Sequence, residues 1–150
     1  MTMTTGWSKL TFKDIFGNDS AIDFLADTFK GAVYTGTLST PNYDTVTGKG
    51  ASPFSSNEVV SSSGGYSAGG LAIASPTLTV VSGTLVFDGA DLSWSGVTWV
   101  NSEGVLVYDD TITTPTADPV ICGLAFGTNY PVTAGTFQIQ WPAAGILVWN

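Results

Sequence analysis

Thr77-Leu78-Thr79-Val80-Val81-Ser82-Gly83-Thr84-Leu85-Val86-Phe87-Asp88 is the stretch whose reading decides the fold. Leu78 and Val80 alternate with Thr77 and Thr79, and Leu85 and Phe87 repeat the pattern after Ser82-Gly83. A period of two sends alternate side chains to opposite faces of a strand. Two turn residues between two such runs predict a tight β-hairpin.

The same period extends outward from this hairpin. Residues 92–94 form a run that Gly96 interrupts and 97–100 resume. The segments 104–108 and 120–126 are mostly apolar, as expected of central strands buried on both faces. Phe137, Ile139 and Trp141 alternate with Thr136, Gln138 and Gln140, and Pro142-Ala143-Ala144-Gly145 turns the chain into 146–149. Upstream, Leu71 and Ile73 alternate with small residues, and 32–35 reads as a strand. About eight or nine strands spaced by roughly ten residues, plus one helix, predict a mainly β fold. The expected architecture is an antiparallel β-sandwich or barrel with one N-terminal α-helix packed against it.

That helix is expected over 18–30. Ile22, Leu25, Ala26, Phe29 and Val33 follow the spacing of one helical face. Asn18, Asp19 and Ser20 offer oxygens to first-turn amides, and Asp23 stands three residues after Ser20. Lys30 suits the C-terminal end of the helix dipole, and Gly31 follows as a stop. Residues 7–12 alternate weakly and read as a strand or, with the rest of 1–15, as an extended N-terminal arm. Residues 36–66 read as a long loop containing Pro41, Pro53 and a run of serines, and loops of that length are often functional. Ser55-Ser56-Asn57-Glu58 has the S-x-x-E capping pattern and predicts one short helical turn inside it.

Composition sets the outer limits. The chain has 150 residues, the size of one domain able to bury a core. Only 11% of residues are charged, against about 25% in an average globular chain. Twelve acids face four lysines (Lys9, Lys13, Lys30 and Lys49), with no arginine, no histidine and a single cysteine, Cys122. One thiol makes neither an internal disulfide nor a Cys/His zinc site. Imidazole proton transfer is excluded, and four scattered lysines do not predict phosphate binding, so no nucleic-acid partner is expected. No apolar run reaches the roughly 18 residues of a membrane span, and the first residues carry no basic or apolar signal segment. The expectation is a protein made in a cytoplasm, without a membrane partner.

Little in the sequence predicts catalysis. A Ser8–Lys9 dyad would place its two members on opposite faces of a strand. Asp109-Asp110 follows an apolar run, where paired carboxylates can serve glycoside hydrolysis. The plainer reading is acids opening a polar loop and bonding nearby amides. Ten of the twelve acids are Asp, so a structural calcium at Asp88, Asp91, Asp109 and Asp110 is conceivable, but no EF-hand spacing supports it. The glycine-rich stretch from Gly64 to Gly70 lacks the Lys-Ser/Thr of a phosphate loop. No cofactor and no enzymatic activity are expected. Most of the five Trp and five Tyr residues sit in strand runs and read as core. The candidate interface anchors are Trp7 and Phe12 in the arm, Tyr43 and Phe54 in the long loop, and Trp149 near the C-terminal end.

Several segments also carry a resemblance. They are Phe16-Gly17-Asn18-Asp19-Ser20-Ala21-Ile22-Asp23-Phe24-Leu25-Ala26-Asp27-Thr28-Phe29-Lys30, Gly65-Tyr66-Ser67-Ala68-Gly69-Gly70, Val107-Tyr108-Asp109-Asp110, and Gly135-Thr136-Phe137-Gln138-Ile139-Gln140-Trp141 with Ala144-Gly145-Ile146. In order from about residue 12 to the end, they resemble small structural proteins of tailed bacteriophages, of the head decoration or minor capsid type. The resemblance implies a location in the virion and contact with the major capsid protein. It brings no catalytic residues. The expected form of such a protein is a symmetric homo-oligomer, with a trimer as the first expectation. The alternative is a tail, neck or baseplate component, including a sugar-binding adhesion module.

Overall fold

The Ser82-Gly83 step folds as the sequence predicts. In the computed structural model, which describes residues 3–150, both residues have positive φ (51° and 83°). That is the type I′ geometry whose twist matches antiparallel strands. It joins β4 (Thr77–Val81) to β5 (Thr84–Asp88), with Val81 opposite Thr84. On the other side of β5 lies β10 (Leu147–Trp149), which completes a three-stranded sheet.

A second, five-stranded sheet forms the centre. Its order is β1 (Gly6–Trp7), β8 (Val120–Ala125), β7 (Gly104–Asp109), β2 (Phe29–Tyr34) and β3 (Leu71–Ala72), with every pair antiparallel. A two-stranded ribbon pairs β6 (Leu92–Trp99) with β9 (Val132–Ile139), and its register slips between Trp94 and Val97, around Gly96. Phe29, Val33, Val105, Val107 and Ile121 of the five-stranded sheet share one apolar cluster with Phe87, Leu92, Trp94, Val97, Trp99, Phe137 and Ile139. Those partners come from the smaller sheets, so the layers are sandwich-like and antiparallel, as expected.

The opposite face of the five-stranded sheet is also buried. Ala32, Tyr34, Leu106, Tyr108 and Val120 meet Leu38, Tyr43, Val46 and Phe54. Residues 36–66 are therefore a cover over the second sheet face as well as a loop. This is why all six residues of β7 are buried. The cover is held by a polar network at Glu58. Lys49 Nζ donates to its Oε2 at 2.8 Å, while the Tyr66 hydroxyl (2.7 Å) and the Gly69 amide (2.6 Å) donate to Oε1. The Val33 amide donates to Tyr66 Oη at 3.0 Å, and Tyr108 Oη donates to Gly69 O at 2.9 Å. Gly70 has φ +75°, and a Cβ there would collide with Gly31 O, so the segment can lie against β2 only as glycine. Tyr66→Phe removes one donor from the carboxylate and leaves the Val33 amide unpaired. We expect it to lower stability by about 1–2 kcal/mol in urea unfolding; an unchanged midpoint would show that the network does not hold the cover.

The helix lies elsewhere than expected. α1 is Lys9–Phe16, inside the segment read as an arm, and 18–28 has no helix. Ser8 is its N-cap, accepting from the Thr11 amide at 3.3 Å. At its C-terminal end the Gly17 amide returns to Lys13 O at 2.8 Å, and Asn18 adopts φ +61°. Asn18, read as the start of a helix, instead closes one, because Asn tolerates the left-handed region. Asp23 caps only a single turn, accepting from the Leu25 and Ala26 amides at 2.9 and 3.2 Å. The 1–15 segment is no free arm over its described part: β1 pairs with β8, and Met3 is buried. The helical turn expected at Ser55–Glu58 is also replaced. Asn57 has φ +67°, and Glu58 forms an antiparallel bridge with Tyr34.

Candidate interaction surface

α1 is amphipathic. Thr11 and Phe12 point inward, whereas Phe16 is 80% exposed. Ser8 fixes the helix entry: its amide donates to Ile121 O (2.9 Å) and its hydroxyl to Val46 O (3.0 Å). The pairing of β1 with β8 then carries Trp7 to one side of Phe12, and the pairing of β10 with β5 carries Trp149 to another. Trp7 and Trp149 both approach Phe12 edge-on, at centroid distances of 5.2 and 5.3 Å. Phe24 stacks on Phe12 at 6.2 Å. These segments frame an open basin of about 300 Å³, lined by Phe12, Ile15, Phe16, Phe24, Leu78, Leu85 and Trp149. Its lining is wholly apolar. Lys9 Nζ stands 5.7 Å over the Trp7 ring.

The structure sorts the sequence candidates into two groups. Phe12 and Trp149 line the basin, and Trp7 packs edge-on against Phe12. Trp7 and Trp149 keep exposed surface, and Phe12 is the buried post between them. Tyr43 and Phe54 are elsewhere, buried in the cluster under the cover. Phe54 packs edge-on against Tyr34 at 5.2 Å, and the Tyr43 hydroxyl donates to Thr4 O at 2.7 Å. Their burial leaves them little surface to offer a partner. Sequence reading missed Phe16, Leu78 and Leu85 as parts of this surface. The available signal was the helical spacing of Phe12, Ile15 and Phe16 after Ser8.

The acids do not converge on one point. Among the described residues no three Asp, Glu, His or Cys side chains come together as metal ligands. Asp91 accepts from the Trp141 amide at 2.9 Å, and Asp110 pairs with Lys30 at 2.7 Å. Among the described residues the buried Asp88 Oδ1 has no hydrogen-bond partner. Asp109 is fully buried, and its Oδ1 accepts from the Thr111 amide at 2.7 Å. Burial, with Asp27 close by, pushes the Asp109 carboxyl up to about 6. Burial also pushes the Cys122 thiol up to about 12, which keeps it protonated and poorly nucleophilic near neutral pH.

These elements define an antiparallel β domain with an apolar basin where its two ends meet. Compared with known proteins, the chain matches no family model, no curated protein and no solved structure. Among the described residues no helix is long and apolar enough to cross a membrane.

Proposed function

We propose that this chain is a non-enzymatic virion structural protein of a tailed bacteriophage, a decoration protein on the head exterior that stabilises it by surface contact. The major capsid protein is its partner. The observation that carries the contact reading is the basin. An aromatic, wholly apolar hollow with the strongly exposed Phe16 on its wall is costly to leave in water and fits the buried centre of an interface. Lys9 on the same helix, over the Trp7 ring that packs on Phe12, supplies a polar rim. The head location itself rests on the resemblance of the segments quoted above.

The test is binding to purified phage heads. The unaltered chain is expected to co-sediment with them, and a Phe16→Asp variant to lose about tenfold or more in affinity. The Phe16 side chain is exposed, so the variant keeps the fold. Recovery of the chain only with separated tails would overturn the head location, and undiminished binding by the variant would overturn the basin. One feature favours the adhesion alternative: Tyr130 is 48% exposed and shares a hollow with Gln138 and Gln140, the aromatic-plus-amide chemistry that sugars use. A glycan array without hits removes that alternative.

A further inference from the structure

The hairpin that decides the fold also leaves an edge uncovered. Among the described residues β4 pairs with β5 alone. The two-residue type I′ turn makes Val81–Thr84 a hydrogen-bonded pair, so the backbone groups of Thr77, Thr79 and Val81 point toward β5. Those of Leu78 and Val80 must then point away from it, into solvent. Natural edges are usually protected by charge, proline within the strand or a bulge. β4 has none of these between Thr77 and Val81. Val80 and Val81 are 71% and 57% exposed.

We propose that β4 is a self-association edge, on which a second copy of this chain pairs through its own β4 across a two-fold axis at Thr79. This deepens the contact-protein reading by naming one of its partners, and replaces the three-fold arrangement expected above. Three observations select a second copy over another strand. First, the pairing window is bounded: Ser75 has φ +52° and Pro76 has no amide donor, while Ser82-Gly83 turns away. The window is thus centred on Thr79. Second, the register about that centre is self-complementary. Leu78 faces Val80 of the other copy, twice, as hydrogen-bonded pairs, and Thr79 faces its own counterpart between them. Four new backbone hydrogen bonds form, and both Leu78–Val80 pairs lie on one face of a continuous six-stranded sheet. Third, the chain carries a net charge of -8, yet this strand carries none. Two copies can approach here without opposing acids, whereas a cationic partner finds no acid on the strand to pair with.

Sedimentation-equilibrium measurements on the full chain test this without any virion present, so their outcome is independent of the head-binding assay. The expected species at about 100 µM is twice the 15.5 kDa chain mass, dissociating on dilution. Val80→Lys places a charge on the edge, and Val80→Pro removes an outward amide that β5 does not use. Each is expected to weaken the dimer at least tenfold. Circular dichroism should keep its β signature in both, since Val80 is exposed. Val148→Lys, on the opposite edge strand β10, should leave the dimer intact. A monomeric wild-type chain, a trimer, or a dimer indifferent to Val80→Lys overturns the proposal.

Discussion

Phe12→Ala is expected to lower the stability of the domain by about 3–5 kcal/mol, the range for deleting a buried aromatic side chain. For a chain of this length that is a fall in melting temperature of roughly 10 °C or more. The helix itself is no source of the loss, because alanine is the best helix former. The loss comes from what Phe12 joins. It is 3% exposed, and its ring meets Trp7, Phe24 and Trp149, each on a different segment. Trp7 belongs to the edge strand of the five-stranded sheet and Trp149 to the edge strand of the three-stranded sheet. Removing the post opens a void between the sheets and releases both indoles toward water. Thermal unfolding and the tryptophan emission maximum should move together, with emission shifting to the red. Phe12→Leu keeps most of the volume and should cost less than about 1.5 kcal/mol. A loss below about 1 kcal/mol for the alanine variant would mean that the two ends of the chain are not clamped through this ring.

The difference between what sequence patterning anticipated and what the chain does follows from which signals are local. The β4–β5 hairpin was legible because its period and its turn residues lie within twelve consecutive residues. β7 was legible as a central strand because both of its faces are apolar. The misplaced helix has a specific cause. Phe29 and Val33 are four apart, a spacing that fits a helical face and also a strand of period two. β2 won because six registered partners on β7 are available to it, from Asp109 to Gly104. Asn18 is equally two-sided, since its side chain suits a helix start and its backbone tolerates a helix end. Meanwhile Ser8, Phe12, Ile15 and Phe16 carried the true helix signal over too few residues to stand out beside weak alternation.

The long cover was illegible for a different reason. Leu38, Tyr43, Val46 and Phe54 follow no period because irregular backbone imposes none. Their burial exists only once the second face of the sheet is present to receive them. For the same reason the basin was half visible. Trp7 and Trp149 stood out as aromatics near the ends of the chain, but their meeting at Phe12 depends on the pairing of β1 with β8 and of β10 with β5. Contacts that distant in sequence leave no local pattern to read.

Asp109→Asn is expected to stabilise the domain above pH 6, by about 2–3 kcal/mol at pH 7.5. Asp109 ends β7 opposite Phe29 and is fully buried. Its Oδ1 accepts from the Thr111 and Ile112 amides, while the buried Oδ2 has no hydrogen-bond donor among the described residues. Burial raises its pKa from the ordinary 3.8 to about 6, the Asp27 carboxylate adds to the rise, and the two amides oppose it. The sign follows from linkage. A carboxyl that binds its proton more tightly when folded adds stability at low pH, fully present below about 4 and lost as pH rises through 6. Holding that proton from about pH 4 to about pH 6 is worth on the order of 2–3 kcal/mol. Charged groups on the adjoining elements include Asp23 and Asp27 on the 18–28 segment, and the Lys30–Asp110 pair. Lys30 is already engaged by Asp110, so no free cation on these elements offsets the ionised Asp109. Asparagine keeps an Oδ1 for the two amides and replaces the bare Oδ2 with an NH2 group that can donate toward Asp27. The wild-type chain should therefore lose stability from pH 4 to pH 6.5, and the variant should lose much less. The two curves should converge near pH 4, where the wild-type carboxyl is protonated. Urea unfolding at half-unit pH steps decides the matter. A variant that keeps the wild-type slope would assign the pH dependence to other carboxyls, and one that is less stable at pH 7.5 would show that the Asp109 charge is compensated in the fold.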